Sequence, residues 1–226
     1  MTLSAVAVLF DMDGVLVDSS GCISRAWFEW AGRHGLDAQG TLALGHGLTT
    51  LDHIRAAAPA LATEKEAALI DELEDRHVAA VIAQPGAAAA TSSLTRADVP
   101  WGVVTSCSRE AATARLATAG LPLPSVLITA DDVTRGKPAP DGYLTGISRV
   151  RAEPHRTVVF EDAPSGITAA QAAGAHVIAL STTHAASQLL AVDSIVPDLS
   201  FVRFQREPHT TEVAIEILAA RAAQTR

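Results

Sequence analysis

Apolar residues fall in short unbroken runs, and several of those runs end on a polar or charged group. Residues 5–10 read AVAVLF and stop at Asp11, residues 101–105 stop at Ser106, and residues 157–160 stop at the pair Glu161-Asp162. Further runs lie at 126–129, 176–180 and 195–196, the last short enough for an edge strand. Runs without polar alternation mark strands covered on both faces, as in a parallel sheet between helices. The intervals read as helices: 87–97, 109–119 capped by Ser108 and stopped by Gly120, 140–151, and 166–173 capped by Ser165 and stopped by Gly174. A closing helix is expected over 212–223.

One block departs from this alternation. From Ser19 and Ser20, both plausible caps, Ile23, Trp27, Trp30 and Ala31 recur at spacings of three and four. Gly32, Gly35 and Gly40 interrupt the pattern, and two more helices are expected at 51–58 and 64–82, before Pro85-Gly86 ends the block. No strand is expected between 19 and 83. The fold class predicted is α/β: a doubly wound parallel-sheet core from residues 1–18 and 84–226, with an all-helical domain at 19–83 inserted after the first strand.

Composition narrows the function. In 226 residues 48% are hydrophobic and only 4% aromatic, so the core is built from Ala, Val, Leu and Ile. A net charge of −8 argues against a nucleic-acid partner, whose proteins carry a basic face. Cys22 and Cys107 are the two cysteines and are expected as reduced thiols without a disulfide framework. No apolar run reaches membrane-spanning length, and residues 2–10 lack a basic leader and a cleavage site, so a cytoplasmic protein is expected.

The charged groups at the strand ends carry the chemistry. Asp11 and Asp13 follow the first strand, Lys137 lies in RGKPAPDGY, and Glu161-Asp162 close a later strand. Ligand sites of doubly wound sheets form at such ends. Carboxylates able to hold a hard cation, together with a lysine for an anion, point to metal-assisted phosphoryl transfer. A calcium-binding EF-hand is excluded, because a strand precedes Asp11 and the twelfth loop position is Cys22, not glutamate.

Four motifs in order, Asp11-Met12-Asp13-Gly14-Val15, Val104-Thr105-Ser106, Gly136-Lys137-Pro138 and Glu161-Asp162-Ala163-Pro164-Ser165-Gly166, make the chain resemble a haloacid dehalogenase-type phosphatase of the β-phosphoglucomutase-like branch. The resemblance implies Asp11 as the nucleophile that forms an aspartyl phosphate, and Asp13 as the acid–base. It implies Mg²⁺ held by Asp11, the Asp13 main-chain carbonyl and Asp162, with Glu161 bound directly or through water. Lys137 would sit between Asp11 and the phosphate. Ser106 is the phosphoryl-binding hydroxyl chosen, with Thr105 as the alternative. Cys107 between Ser106 and Ser108 needs no reactivity.

The same resemblance makes residues 19–83 a helical cap that covers the site. Gly45-His46-Gly47-Leu48-Thr49-Thr50 is similar to the HGxxT pattern of sugar and polyol phosphatases, so His46, Gly47 and Thr50 are candidate specificity residues. Where the mutases carry a cap histidine and cations for a second phosphate, this chain has Ile23, His46 and Thr50. The function expected is therefore hydrolysis of a small sugar or polyol phosphate monoester by a monomer. The alternatives are a sugar phosphomutase, or a sensor that keeps phosphate on Asp11 without turnover.

Overall fold

The computed structural model describes residues 2–45, 47–189, 191–206 and 210–218. Its central sheet has six parallel strands: β2 (Ala7–Phe10), β5 (Trp101–Val104), β6 (Val126–Ile128), β7 (Thr157–Glu161), β8 (His176–Leu180) and β9 (Ser194–Val196). Their order is β6-β5-β2-β7-β8-β9, so the chain leaves β2 in one direction for β5 and β6, then returns to β7 on its other side. That reversal puts a crevice at the carboxyl end of β2, where Asp11 begins.

All four residues of β2 are fully buried, as their unbroken apolar run requires. Val8 and Phe10 face one layer with α5 (Ala87–Arg96) and α6 (Arg109–Thr118); Ala7 and Leu9 face the other with α7 (Asp141–Arg149) and α8 (Pro164–Ala172). Phe10 stacks on Phe160, their ring centroids 5.2 Å apart.

The run at 5–10 is two strands, not one. A bend at Val6 separates β2 from β1 (Thr2–Ala5), which pairs antiparallel with β11 (Val213–Ile217); β10 (Val202–Arg206) completes that small sheet. The expected closing helix at 212–223 is therefore a strand over 213–217, and residues 219–223 lie outside the described residues. Val213 and Ile215 are fully buried and alternate with less buried Ala214 and Glu216, a period of two that a sheet can use and a helix cannot. The Phe204 ring packs with centroids 5.8 Å from Phe160 and 6.3 Å from Phe10.

The helical block stands between β3 (Val17–Asp18) and β4 (Ile82–Ala83), which pair antiparallel at its base. It contains α1 (Ser20–His34), α2 (Ala38–Ala43), α3 (Thr50–Ala57) and α4 (Glu64–His77). The last predicted helix thus stops at His77 and gives way to a 3₁₀ turn at Val78–Ala80 and then a short strand. Trp27, Trp30, Ile54, Ile70 and Leu73 form a separate apolar cluster inside the block.

Two caps differ from expectation. Ser19 makes no capping bond; the Asp18 carboxylate instead accepts from the Ser20 backbone N–H at 3.0 Å. Helix α8 starts at Pro164 without a Ser165 cap, because proline's fixed φ already suits a first helical position.

Candidate active site

The loop after β2 turns back on itself. The backbone N–H groups of Leu16 and Val17 both donate to Met12 O, at 2.8 and 3.0 Å. Met12 is pressed into the core while Asp11 and Asp13 line a cavity of about 370 Å³ between the sheet edge and the helical block. Gly14 has φ +83°, and a Cβ there would stand 2.1 Å from Asp162 Oδ2. Only glycine allows both the left-handed turn and this approach of the two acidic loops.

Lys137, from the loop between β6 and α7, reaches three acceptors with its buried ammonium. It donates to Asp11 Oδ1 at 2.8 Å, Glu161 Oε1 at 2.7 Å and Val104 O at 3.2 Å. Burial would lower its pKa, but the Asp11 and Glu161 carboxylates outweigh it and hold the lysine above its ordinary value. Glu161 is fully buried and saturated. Oε1 also accepts from the Tyr143 hydroxyl at 2.6 Å, and Oε2 from the backbone N–H groups of Asp162 and Ala163 at 3.1 and 3.3 Å. A Cβ on Gly166 would lie 1.8 Å from Glu161 Oε1, so this carboxylate is enclosed by backbone as well.

Asp11, Glu161 and Asp162 form a buried cluster whose ligand oxygens all lie within 4.8 Å of one another. Thr183 bonds one oxygen of Asp162, while Oδ1 is buried and has no hydrogen-bond partner among the described residues. An orphaned, buried carboxylate oxygen is costly, and in an all-oxygen set it suits a hard cation. Burial raises Asp11 to about 7, with Lys137 pulling the other way. Burial likewise pushes Asp162 well above the carboxylate range, reinforced by the charges of Asp11 and Glu161. Fully ionised, the three carboxylates would carry more negative charge than Lys137 alone offsets.

Of the other residues read from sequence, Ser106, Gly47 and Thr50 line the same cavity; His46 lies outside the described residues. The Ser106 hydroxyl donates to Gly47 O at 2.9 Å, joining the end of β5 to the helical block. Thr105 is buried beside it, its hydroxyl 3.3 Å from Cys107 Sγ. Burial pushes the Cys107 thiol up to about 12, which leaves no thiolate for chemistry.

The sequence reading missed Tyr143, Arg115, Glu74 and Thr183. Tyr143 is the single tyrosine of the chain, just beyond the Lys137 motif, and that uniqueness was the available signal. Arg115 and Glu74 stand in amphipathic helices where charges are ordinarily solvent-facing, and nothing local sets them apart.

Residues 6–174 match the model of the haloacid dehalogenase-like hydrolases. The chain belongs to the haloacid dehalogenase-like hydrolase family. Among relatives, it is 41% identical over 204 residues to hexitol phosphatase A of Escherichia coli (strain K12), covering 89% of this chain and 94% of that one. It is 39% identical over 209 residues to validoxylamine A 7'-phosphate phosphatase of Streptomyces hygroscopicus subsp. limoneus, covering 89% and 96%. A solved family hydrolase from Deinococcus radiodurans R1, with bound phosphate and sodium, superimposes with a TM-score of 0.64 at 28% identity, over 87% of this chain and 92% of that one. This haloacid dehalogenase-like chain is an enzyme, a phosphatase. Among its described residues no helix is long and apolar enough to cross a membrane.

Proposed function

We propose that the protein hydrolyses small sugar or polyol phosphate monoesters with Mg²⁺, through an aspartyl phosphate on Asp11. The observation that carries this is the Asp11 carboxylate, buried between Lys137 and the acidic pair Glu161-Asp162, with an open cavity in front of it. Asp11, the Asp13 main-chain carbonyl and Asp162 would hold the ion, Asp162 using its orphaned Oδ1. Glu161 adds charge to the cluster and anchors Lys137; as a direct ligand it would have to give up one of four hydrogen bonds. When bound, Mg²⁺ supplies positive charge that offsets repulsion between carboxylate and phosphate, about 4 kcal/mol for unit charges ~4 Å apart at an effective dielectric near 20.

Asp11 attacks phosphorus. As the ester P–O bond breaks, Asp13 gives its proton to the leaving oxygen. Asp13 then takes a proton from the water whose oxygen attacks the acyl phosphate, releasing inorganic phosphate and the Asp11 carboxylate. Lys137 pulls Asp11 toward its ionised form, and the Ser106 hydroxyl and nearby N–H groups receive the transferred phosphoryl group, with Thr105 as the alternative hydroxyl.

Residues 19–83 act as the cap over a core formed by 1–18 and 84–226, and the Ser106–Gly47 contact supports that role. Ile23, Ser24, Trp27 and His53 from this block join Gly47 and Thr50 around the cavity. Among the described residues Arg115 is the only lysine or arginine lining it, and its guanidinium is already committed to Asp13 and Glu74. No lysine or arginine is left there to grip a second phosphate, which favours monoesters. The substrates in the two relatives' names, a hexitol phosphate and a 7'-phosphate, support a small polyhydroxylated leaving group. The enzyme works in the cytoplasm as a monomer.

The test is phosphate release from a panel of sugar and polyol monophosphates, with Mg²⁺ or EDTA, for the wild type and Asp11→Asn. Release that needs Mg²⁺ and falls by several orders of magnitude in the mutant is expected. Appreciable turnover by Asp11→Asn would sink the proposal.

A further inference from the structure

Arg115 is an arginine where an apolar residue would be expected. It lies on the inner side of α6 with its side chain 3% exposed, and burial of a guanidinium is costly unless its charge and donors are met. Two carboxylates from different parts of the chain meet them. Nη1 donates to Asp13 Oδ1 at 2.7 Å, and Nη2 pairs with Glu74 Oε2 on α4 of the helical block. The fork therefore joins the loop after β2, the core helix α6 and the inserted helix α4. Helices α4 and α6 also pack against each other at this point.

The geometry at Asp13 is asymmetric. Arg115 engages Oδ1, while among the described residues Oδ2 has no hydrogen-bond partner, and the side chain keeps 23% of its exposure on the cavity side. One oxygen is pinned and the other is left for proton transfer. Glu74 lines the same cavity, and its carboxylate holds the second arm of the fork.

We propose that Arg115 is the positioning residue of the Asp13 carboxyl, and that Glu74 of the helical block holds Arg115 in the orientation this requires. The acid–base is then aligned by a strut whose far end stands on the inserted domain. A lysine cannot reproduce it, because a point charge lacks the fork that reaches both carboxylates at once. This assignment rests on the proposed role of Asp13 as acid–base.

The experiment compares kcat/KM for two esters in Arg115→Lys, Glu74→Gln and Asp13→Asn. The first is the sugar or polyol phosphate that the wild type cleaves fastest, whose alkoxide needs a proton to leave. The second is p-nitrophenyl phosphate, whose phenolate leaves without one. Arg115→Lys should lose about 100-fold or more on the alkyl ester, the scale of general acid catalysis, and only a few-fold on the aryl ester. Glu74→Gln should show the same ester dependence with a smaller loss. It serves alone if melting curves show that Arg115→Lys does not fold. Equal losses on both esters, or no loss on either, would overturn the assignment and leave Arg115 a structural ion pair. Asp13→Asn separates the two levels. If it too loses equally on both esters, the acid–base reading of Asp13 fails; if it is ester-dependent while Arg115→Lys and Glu74→Gln are not, only the strut fails.

Discussion

The Tyr143 hydroxyl donates to Glu161 Oε1 at 2.6 Å, the same oxygen that Lys137 reaches at 2.7 Å. A neutral donor and a cation thus share one buried acceptor, and the Tyr143 ring lies 5.1 Å beneath the Lys137 ammonium. The lysine paired with Asp11 is held by this pairing and not by its own flexible stem. Tyr143→Phe keeps the ring and removes only the donor. A loss of about 1.5–3 kcal/mol is expected from urea unfolding, the range for a hydrogen bond to a charged group, with a fall in kcat as Lys137 loosens. Unchanged stability would show that Glu161 finds its partner elsewhere.

Burial raises Asp11 to about 7, above the 3.8 of an unperturbed aspartate. Between those values the folded metal-free protein binds more protons than the unfolded chain, so its stability falls as pH rises from about 4 to 7. Asp162 acts in the same direction. In EDTA the melting temperature should therefore drop across that window, and Asp11→Asn should flatten the drop.

Mg²⁺ should reverse that loss, because its ligands must be deprotonated. The thermal shift on adding it is expected to be larger at pH 8 than at pH 5, with a stabilisation of about 2.7 kcal/mol at a hundredfold excess over Kd. Asp162→Asn should abolish it. A shift that survives in that variant would place the ion elsewhere.

Gly14→Ala meets two obstacles at once, φ +83° and a Cβ placed 2.1 Å from Asp162 Oδ2. The variant should fold with reduced stability, lose the Mg²⁺ thermal shift and release little phosphate. Gly35, also left-handed at φ +67° but with open space around it, is the control: Gly35→Ala should be destabilised and remain active.

Ile215 is fully buried on β11, far along the chain from the acidic motifs. Ile215→Ala should cost about 2–5 kcal/mol, the usual range for such a truncation in a core, with kcat unchanged in the protein that remains folded. A loss of kcat at full stability would tie the small sheet to the site.

The parallel core was legible because its strands are buried on both faces and leave an apolar signature that needs no knowledge of neighbours. The same holds for the charged groups that follow them: Asp11, Glu161 and Asp162 lie at the ends of those runs and Lys137 in the loop after one, and the structure gathers all four at one sheet edge. Residues 213–217 show where local reading failed. Three of its five residues, Val213, Ile215 and Ile217, are β-branched and favour a strand, while the helix-forming residues that suggested a helix lie after it in the sequence. Pairing with β10 nearby and with β1 from the far end of the chain gives that preference its sheet.

The sequence by itself determined the alternation of strands and helices, the inserted helical block and the identity of the acidic and basic groups, since these depend on local periodicity and motif order. Tertiary structure alone decided which charges meet. Asp11 and Lys137 stand 126 positions apart, Arg115 and Asp13 stand 102 apart, and Arg115 and Glu74 stand 41 apart. A charge in a helix carries no local mark of whether it faces water or a buried partner. That depends on how the insert packs onto the sheet edge, through contacts between residues remote in the chain.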